Sequence, residues 1–183
     1  KNEPGNIRSL SHNTVRAIYE DRAGVLWIAT SGGGLNRFDY VTRSFTAFKN
    51  RPNDLQSLSH DFVRALYEDT RGNFWVGTLN GGLNLMDRTT GKFIRFLPDV
   101  TNPGSIIHKS IISITEDRSG IVWFGTWGGG VSYISPTGHR FINFRYDPSN
   151  PYSLSQDRIY ALHEDLLGVI WAGTFGGGLN RYQ

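Results

Sequence analysis

The feature that most constrains this chain is a 48-residue repeat that occurs four times without an insertion. Each copy carries a Glu-Asp pair, and a tryptophan follows six residues after the Asp. These tryptophans are Trp27, Trp75, Trp123 and Trp171. A threonine and a Gly-Gly pair then recur at the same spacing. Because a fixed period of this length is the signature of repeat architectures, the chain is interpreted as four copies of one structural unit.

Within each unit the alternation of residue types has a period of two, which is the pattern of β-strands. In the first unit, strands are predicted over 15–20, 25–30, 35–39 and 44–48, separated by short turns that contain Asp or Gly. Four strands in about 40 to 50 residues is the size of a propeller blade. We therefore predict an all-β fold, a β-propeller of four-stranded blades at 9–48, 57–96, 105–144 and 153–183.

The fourth unit ends before its fourth strand would be complete, so its blade is predicted to lack the outer strand. Three arrangements remain open: a four-bladed ring, part of a larger ring, and a half-ring that a second copy completes. An open arc would expose the apolar flanks of its first and last blades. We therefore expect closure of the chain on itself or a homo-oligomer, such as a dimer that completes a ring, unless the rest of a larger propeller covers these flanks.

The composition argues against several classes of function. The net charge of +3 is spread along the chain without a basic stripe, so a nucleic-acid partner is not expected. No apolar run reaches the roughly 18 residues that span a bilayer, so no membrane contact is expected from this segment. Cysteine is absent, which excludes disulfides and thiolate metal sites. Each Glu-Asp pair supplies too few oxygen ligands for a calcium loop, and no metal or cofactor is predicted.

The repeat resembles a known family through the pattern Val-Arg-Ala-(Ile/Leu)-Tyr-Glu-Asp-x-x-Gly-x-(Leu/Phe)-Trp, followed by Thr-x-x-Gly-Gly-Leu-Asn. This pattern is similar to the two-component regulator propeller repeat, most fully over residues 9–36 and 57–84. The later units match with departures, such as Ile107 in place of a serine and Ser132 in place of an asparagine. The resemblance implies a non-enzymatic sensor propeller of a bacterial signalling receptor, in the periplasm or outside the cell. Several members of that family sense glycan fragments.

Residues that are identical in every unit serve folding, so we look for binding residues where the units differ. The turn between the second and third strands holds such a position, occupied by Ser31, Leu79, Trp127 and Phe175. The rings of Trp127 and Phe175 could stack on the apolar face of a sugar, which makes them candidate ligand-binding residues. Packing of these rings against the adjacent linker is the alternative.

A second variable position lies on the first strand and is occupied by Arg16, Arg64, Ile112 and Tyr160. If it faces the central channel, Arg16 and Arg64 could pair with an acidic ligand such as a uronate, and Tyr160 would lie beside them. If it faces the next blade, the arginines would form structural salt bridges. The period of two does not distinguish these cases.

A third position begins each first strand and is occupied by His12, His60, His108 and Gln156. In a four-bladed ring the three histidines would approach the axis and could bind a ligand or form a metal site. The alternative is that they are linker residues that bond to the backbone.

The function that these observations favour is a ligand-sensing module that recognises a small carbohydrate on the face formed by the linkers. One alternative is a lyase or hydrolase acting on polysaccharide, which would need acid and base residues to converge in one pocket. Lys109, Arg158 and His163 occur in single units, but nothing in the sequence brings them together, and no catalytic residue is predicted. The other alternative is a structural or assembly fragment without a ligand.

Overall fold

The computed structural model describes residues 1–137 and 140–182, in which the regular structure consists of β-strands. The strands form four antiparallel sheets that follow one another along the chain. The predicted all-β fold of propeller blades is confirmed. Positions 138, 139 and 183, which fall in the predicted third and fourth blades, lie outside the described residues.

The first two sheets each have four strands that lie side by side in sequence order. The first sheet contains β1 (Val15–Glu20), β2 (Leu26–Thr30), β3 (Leu35–Asp39) and β4 (Ser44–Phe48). The second contains β5 (Val63–Glu68), β6 (Phe74–Thr78), β7 (Leu83–Asp87) and β8 (Lys92–Phe96).

The last two sheets repeat this order, and the fourth has one strand fewer. The third sheet contains β9 (Ile111–Glu116), β10 (Val122–Thr126), β11 (Val131–Ile134) and β12 (Ile142–Phe144). The fourth contains β13 (Ile159–Glu164), β14 (Ile170–Thr174) and β15 (Leu179–Tyr182). The missing outer strand of this blade agrees with the sequence prediction.

The turn between the first two strands explains why Asp and Trp recur at a fixed spacing. One carboxylate oxygen of Asp21 accepts the amides of Ala23 (3.0 Å) and Val25 (2.9 Å), and the other accepts the indole N–H of Trp27 (2.9 Å). Asp69, Asp117 and Asp165 accept the indoles of their own tryptophans in the same way. Val25 belongs to this turn, so β2 begins one residue later than predicted.

In the second, third and fourth blades, the Glu of the Glu-Asp pair connects the blade to the one before it. Glu68 accepts the amide of Arg22 (2.8 Å), Glu116 that of Thr70 (2.8 Å) and Glu164 that of Arg118 (3.0 Å). These carboxylates therefore have a structural role, as acceptors for the turns of neighbouring blades.

The hydrophobic core lies in the three seams between neighbouring blades. In the first seam, Trp27 and Leu35 of the first blade pack on Val63, Leu66 and Phe74 of the second. The second and third seams have the same construction around Trp75 and Trp123. A buried tryptophan contributes about 150–250 Å² of contact area, so the three seam indoles are mainly structural.

The sheets fan outward from an arc of first strands. β1 contacts β5, β5 contacts β9, and β9 contacts β13. Within residues 1–137 and 140–182, no comparable contact joins β13 back to β1. The expected closure of four blades into their own ring is therefore not what the structure has. The chain forms an open arc whose concave side is lined by β1, β5, β9 and β13.

Candidate functional site

A β-bulge interrupts the first strand of every blade at the same point. The pairing register shifts between Val15 and Ala17, and equivalent shifts occur in the other three sheets. The residues at the bulges are Arg16, Arg64, Ile112 and Tyr160. Because a bulge leaves one residue unpaired and redirects its side chain, this variable position departs from the simple alternation of the strand.

Three of the four bulge residues, Arg16, Arg64 and Tyr160, carry polar groups on the strands that line the concave side. Burial lowers the pKa of the Arg64 guanidinium below its usual value, the charge of Arg16 lowers it further, and Tyr160 acts in the opposite direction. Neither Arg16 nor Arg64 forms an ion pair with any described residue. The structural salt bridges that were the alternative for this position are therefore not formed among the described residues.

The side chain of Arg64 carries a buried donor with no acceptor. Its Nε atom is shielded from solvent and forms no hydrogen bond within the described part of the chain. A buried unpaired donor costs about 1–3 kcal/mol, and an anionic acceptor would remove that cost through a charge-assisted hydrogen bond. Arg64 is thus suited to an acidic group of a ligand.

Three aromatic rings of the third and fourth blades form a cluster. The ring centroids of Trp127 lie 5.3 Å from Tyr160 and 5.8 Å from Phe175, and those of Tyr160 and Phe175 are 6.0 Å apart. Tyr160 is 54% exposed and Phe175 is 52% exposed, so the cluster keeps open ring surface. The guanidinium of Arg158 lies 5.7 Å from the centre of the Trp127 ring. We call Trp127, Tyr160 and Phe175 the aromatic cluster.

The backbone of two neighbouring blades positions the aromatic cluster. The amide of Trp127 donates to the carbonyl of Ser110 (3.0 Å), and the amide of Phe175 donates to that of Arg158 (2.9 Å). Trp127 also pairs with Arg158 of the following blade through an isolated β-bridge. The two turns are therefore held to the starts of the first strands, which brings their side chains to the bulge residue Tyr160.

The three histidines bond to the backbone and do not converge. The Nδ1 atoms of His12, His60 and His108 accept amides two residues later, at 3.0, 3.2 and 3.0 Å. No group of three metal-ligating side chains occurs among the described residues. Burial lowers the pKa of His108, which favours its neutral form. The possible three-histidine metal site is not assembled in this arc.

Arg158 and Phe62 are site residues that the sequence analysis did not single out for binding. Both occupy the position directly before the first strand, two residues after the histidine position, which reads Thr14, Phe62, Ser110 and Arg158 in the four units. Phe62 is 40% exposed and packs on His60 with ring centroids 5.4 Å apart. The difference between units at this position is as large as at the three chosen positions, and it could have identified both residues.

Comparison with protein families identifies the repeat. Residues 9–32, 57–80 and 105–128 match the family model described as two component regulator propeller. No protein with a curated description is similar enough in sequence to count as a relative.

Several solved structures share the fold of the chain. The extracellular domain assigned to the hybrid two component system BT3049 from B. thetaiotaomicron aligns at 25% identity with a TM-score of 0.84, over 100% of this chain and 25% of that one. The corresponding domain of BT4673 from the same organism aligns at 25% identity and a TM-score of 0.75, over 94% and 22% of the two chains. The chain therefore spans about a quarter of the length of these structures.

A more distant likeness extends to an enzyme. Virginiamycin B lyase from Staphylococcus aureus aligns at 15% identity with a TM-score of 0.60, over 92% of this chain and 55% of the lyase. At this identity the likeness concerns the propeller fold alone.

A separate observation concerns membranes: in the part of the chain that the structure describes, no helix has the length and apolar character to cross a bilayer.

Proposed function

The chain is built from repeats of the two component regulator propeller family, and on that premise we propose that it is a non-enzymatic ligand-binding part of a bacterial sensor. Its ligand is a small carbohydrate that carries an acidic group. The ligand binds at the concave side of the arc, between the aromatic cluster and the two bulge arginines. The sensor is exposed outside the cytoplasm, in the periplasm or at the cell surface.

The observation that carries this proposal is the juxtaposition of exposed rings with an unpaired cation. Tyr160 contacts Trp127 and Phe175 through its ring, and it holds the same bulge position in the fourth blade that Arg64 holds in the second. Half-exposed aromatic rings bind the apolar faces of sugars, and a guanidinium binds a carboxylate through two parallel hydrogen bonds. Together they select a flat ring with an anionic substituent, such as a uronic acid.

The similarity to two sensor domains supports the signalling part of the proposal. The BT3049 and BT4673 structures are described as extracellular domains of two component systems, which places those proteins at the outer side of the cell. Since this chain spans about a quarter of their length, it supplies a ligand-contacting portion, and the output activity belongs to other parts of such a receptor.

The catalytic alternative has less support from the site. Of the three residues weighed for acid and base roles, Arg158 lies at the aromatic cluster, and a guanidinium is a poor proton donor or acceptor because it keeps its charge in proteins. Neither Lys109 nor His163 contacts the described residues of the aromatic cluster through a hydrogen bond, an ion pair or a ring contact. Binding without turnover is the simpler function for this surface.

A thermal-shift experiment tests the proposal with a panel of neutral and acidic oligosaccharides. A ligand that binds only the folded chain stabilises it by about 2.7 kcal/mol at 100 times its Kd, so Tm should rise with at least one acidic member. Trp127→Ala should abolish that rise. Tyr40→Ala removes an exposed ring of the first blade outside the aromatic cluster and should keep it.

Two results would contradict the proposal. One is a flat Tm for the unmodified chain across the whole panel, which would favour a structural propeller fragment. The other is release of shortened products from any oligosaccharide by the purified chain, which would favour an enzyme.

A further inference from the structure

Basic side chains surround the turn between the second and third strands of the third blade. This turn covers residues 127–130 and begins with Trp127 of the aromatic cluster. The guanidinium of Arg158, from the start of the following blade, lies 5.7 Å from the centre of the Trp127 ring. Three further basic residues belong to the same surroundings, and we call the four together the basic rim (His108, Lys109, Arg145, Arg158).

His108 presents a hydrogen-bond donor to this turn. Its Nδ1 atom accepts the amide of Ser110 at 3.0 Å, so the neutral imidazole carries its proton on Nε2. That Nε2 atom lies 3.7 Å from the place that a Cβ atom would take at Gly128, and the Cβ atom of His108 is 2.7 Å from the corresponding place at Gly129. The two glycines therefore let the imidazole approach the turn closely, with a donor that bonds to none of the described residues.

Arg145 lies beside the same turn because it directly follows β12. The carbonyl of Phe144, one residue earlier, approaches Gly130 so closely that a Cβ atom there would collide with it. Burial lowers the pKa of His108 most, and the charges of Lys109 and Arg145 lower it further. The exposed side chains of Lys109 and Arg145 form no ion pair with any described residue, and the same holds for Arg158.

Lys109 stands where the other three units carry a side-chain acceptor. Asn13, Asp61 and Asp157 each accept the amide of the residue eleven positions earlier, at 2.8, 2.7 and 2.7 Å. In the third unit that residue is Pro98, which has no N–H to donate. Lys109 is therefore released from the backbone role of this position, and its cation is available to a ligand.

The equivalent turns of the first two blades lack this concentration of charge. Around the second turn the four equivalent residues are His60, Asp61, Leu97 and Ser110. Around the first turn they are His12, Asn13, Lys49 and Phe62. The third turn has three permanent cations in its rim, and Asp157, next to Arg158 in sequence, brings one negative charge. An excess of positive charge thus coincides with the turn that carries Trp127.

We propose that the basic rim binds a second acidic group of the ligand while the sugar that carries this group packs on Trp127. The ligand class is thereby narrowed to oligosaccharides with at least two acidic groups. This inference rests on the proposed function, which assigns the first acidic group to the bulge arginines. All four groups of the rim belong to the third blade and to the start of the fourth, on the two sides of an internal seam.

Titration calorimetry with two series of oligosaccharides, from disaccharides to hexasaccharides, tests this inference. One series carries a single uronic acid residue and the other carries a uronic acid at every residue. The unmodified chain should bind the best member of the second series at least about tenfold more tightly, because one further charge-assisted hydrogen bond contributes that much.

Two variants of the rim should remove this preference. Arg158→Ser and Arg145→Leu each introduce the residue that the third unit carries at the same position, Ser110 and Leu97. Each should lower the affinity for the second series and leave the affinity for the first close to that of the unmodified chain. Lys49→Leu is the matched control, because the exposed Lys49 holds in the second unit the position that Arg145 holds in the fourth. It should keep the full preference.

The outcomes separate this inference from the proposed function. Equal affinity of the unmodified chain for both series would overturn the inference and leave the proposed function in place. No binding of either series would contradict the proposed function and the inference with it. A preference that survives both rim variants, or that Lys49→Leu reduces as much as they do, would also overturn the inference, because the second acidic group would then bind elsewhere or through general charge attraction.

Discussion

At the level of residues, two groups can be distinguished. One group recurs in every blade and serves folding, and the other differs between blades. The role of Asp as the residue that opens a turn follows from its sequence position. Its second role, as acceptor for the indole six residues later, needs the folded geometry, because sequence spacing does not say which oxygen faces which ring. The histidines are a second example. Their positions in the sequence did not reveal that their Nδ1 atoms accept hydrogen bonds from amides two residues later.

Arg64→Met should separate stability from binding. The substitution removes a partly buried cation and its unpaired Nε donor while keeping a flexible stem, so the free energy of unfolding should rise by about 1 kcal/mol. The same change should abolish the Tm rise with acidic oligosaccharides and leave any response to neutral ones. Urea unfolding with and without ligand measures both effects.

Arg16→Met is the matched comparison for this prediction, because Arg16 holds the same bulge position in the first blade and is exposed. It should leave the free energy of unfolding within about 0.5 kcal/mol of the original. If the two variants change the free energy of unfolding by the same amount, the unpaired Nε donor of Arg64 does not destabilise the chain, which would contradict the prediction.

At the level of elements, the strands and turns were predictable and the bulges were not. The period-two alternation and the Asp- and Gly-containing turns place the strands of the first blade to within a residue. A bulge leaves no mark in that alternation, since it depends on how the second strand pairs with the first. For that reason the direction of Arg16 and Arg64 stayed open at the level of sequence.

Gly125→Ala and Gly173→Ala should differ strongly although both change the second strand at the same position of the repeat. A Cβ atom at Gly125 would lie 2.8 Å from Cγ2 of Ile159 in the third seam and against Oγ of Ser113, whereas at Gly173 the nearest atom is 3.9 Å away. Neither glycine has a positive φ. Gly125→Ala should cost about 1–3 kcal/mol, and Gly173→Ala should change stability by less than about 0.5 kcal/mol.

Chemical denaturation of the two variants and of the unmodified chain measures this pair. If both variants lose the same stability, the close approach of Ile159 to Gly125 is not what excludes a larger side chain at that position, and the prediction is wrong.

At the level of the whole molecule, the repeat number was evident from the sequence but the shape of the arc was not. Closure depends on the rotation between neighbouring sheets, which is set by how side chains such as Trp27 and Phe74 pack in each seam, with ring centroids 5.0 Å apart. The same arc lines its concave side with the first strands of all four blades, including those that carry Arg64 and Tyr160. The differences between units predicted candidate positions, and the arc decides which of them can act together.

The most direct test of the proposed binding surface is a ¹H–¹⁵N spectrum of the tryptophan indoles during titration with an acidic oligosaccharide. The chain has five tryptophans, and four of them donate their indole N–H to the Asp of their own turn. Trp127 lies in the aromatic cluster, and Trp127→Phe identifies its signal. Our account predicts that this signal moves with saturation while those of Trp27, Trp75 and Trp123 stay in place. A titration that leaves the Trp127 signal unmoved, while a seam tryptophan shifts, would contradict it.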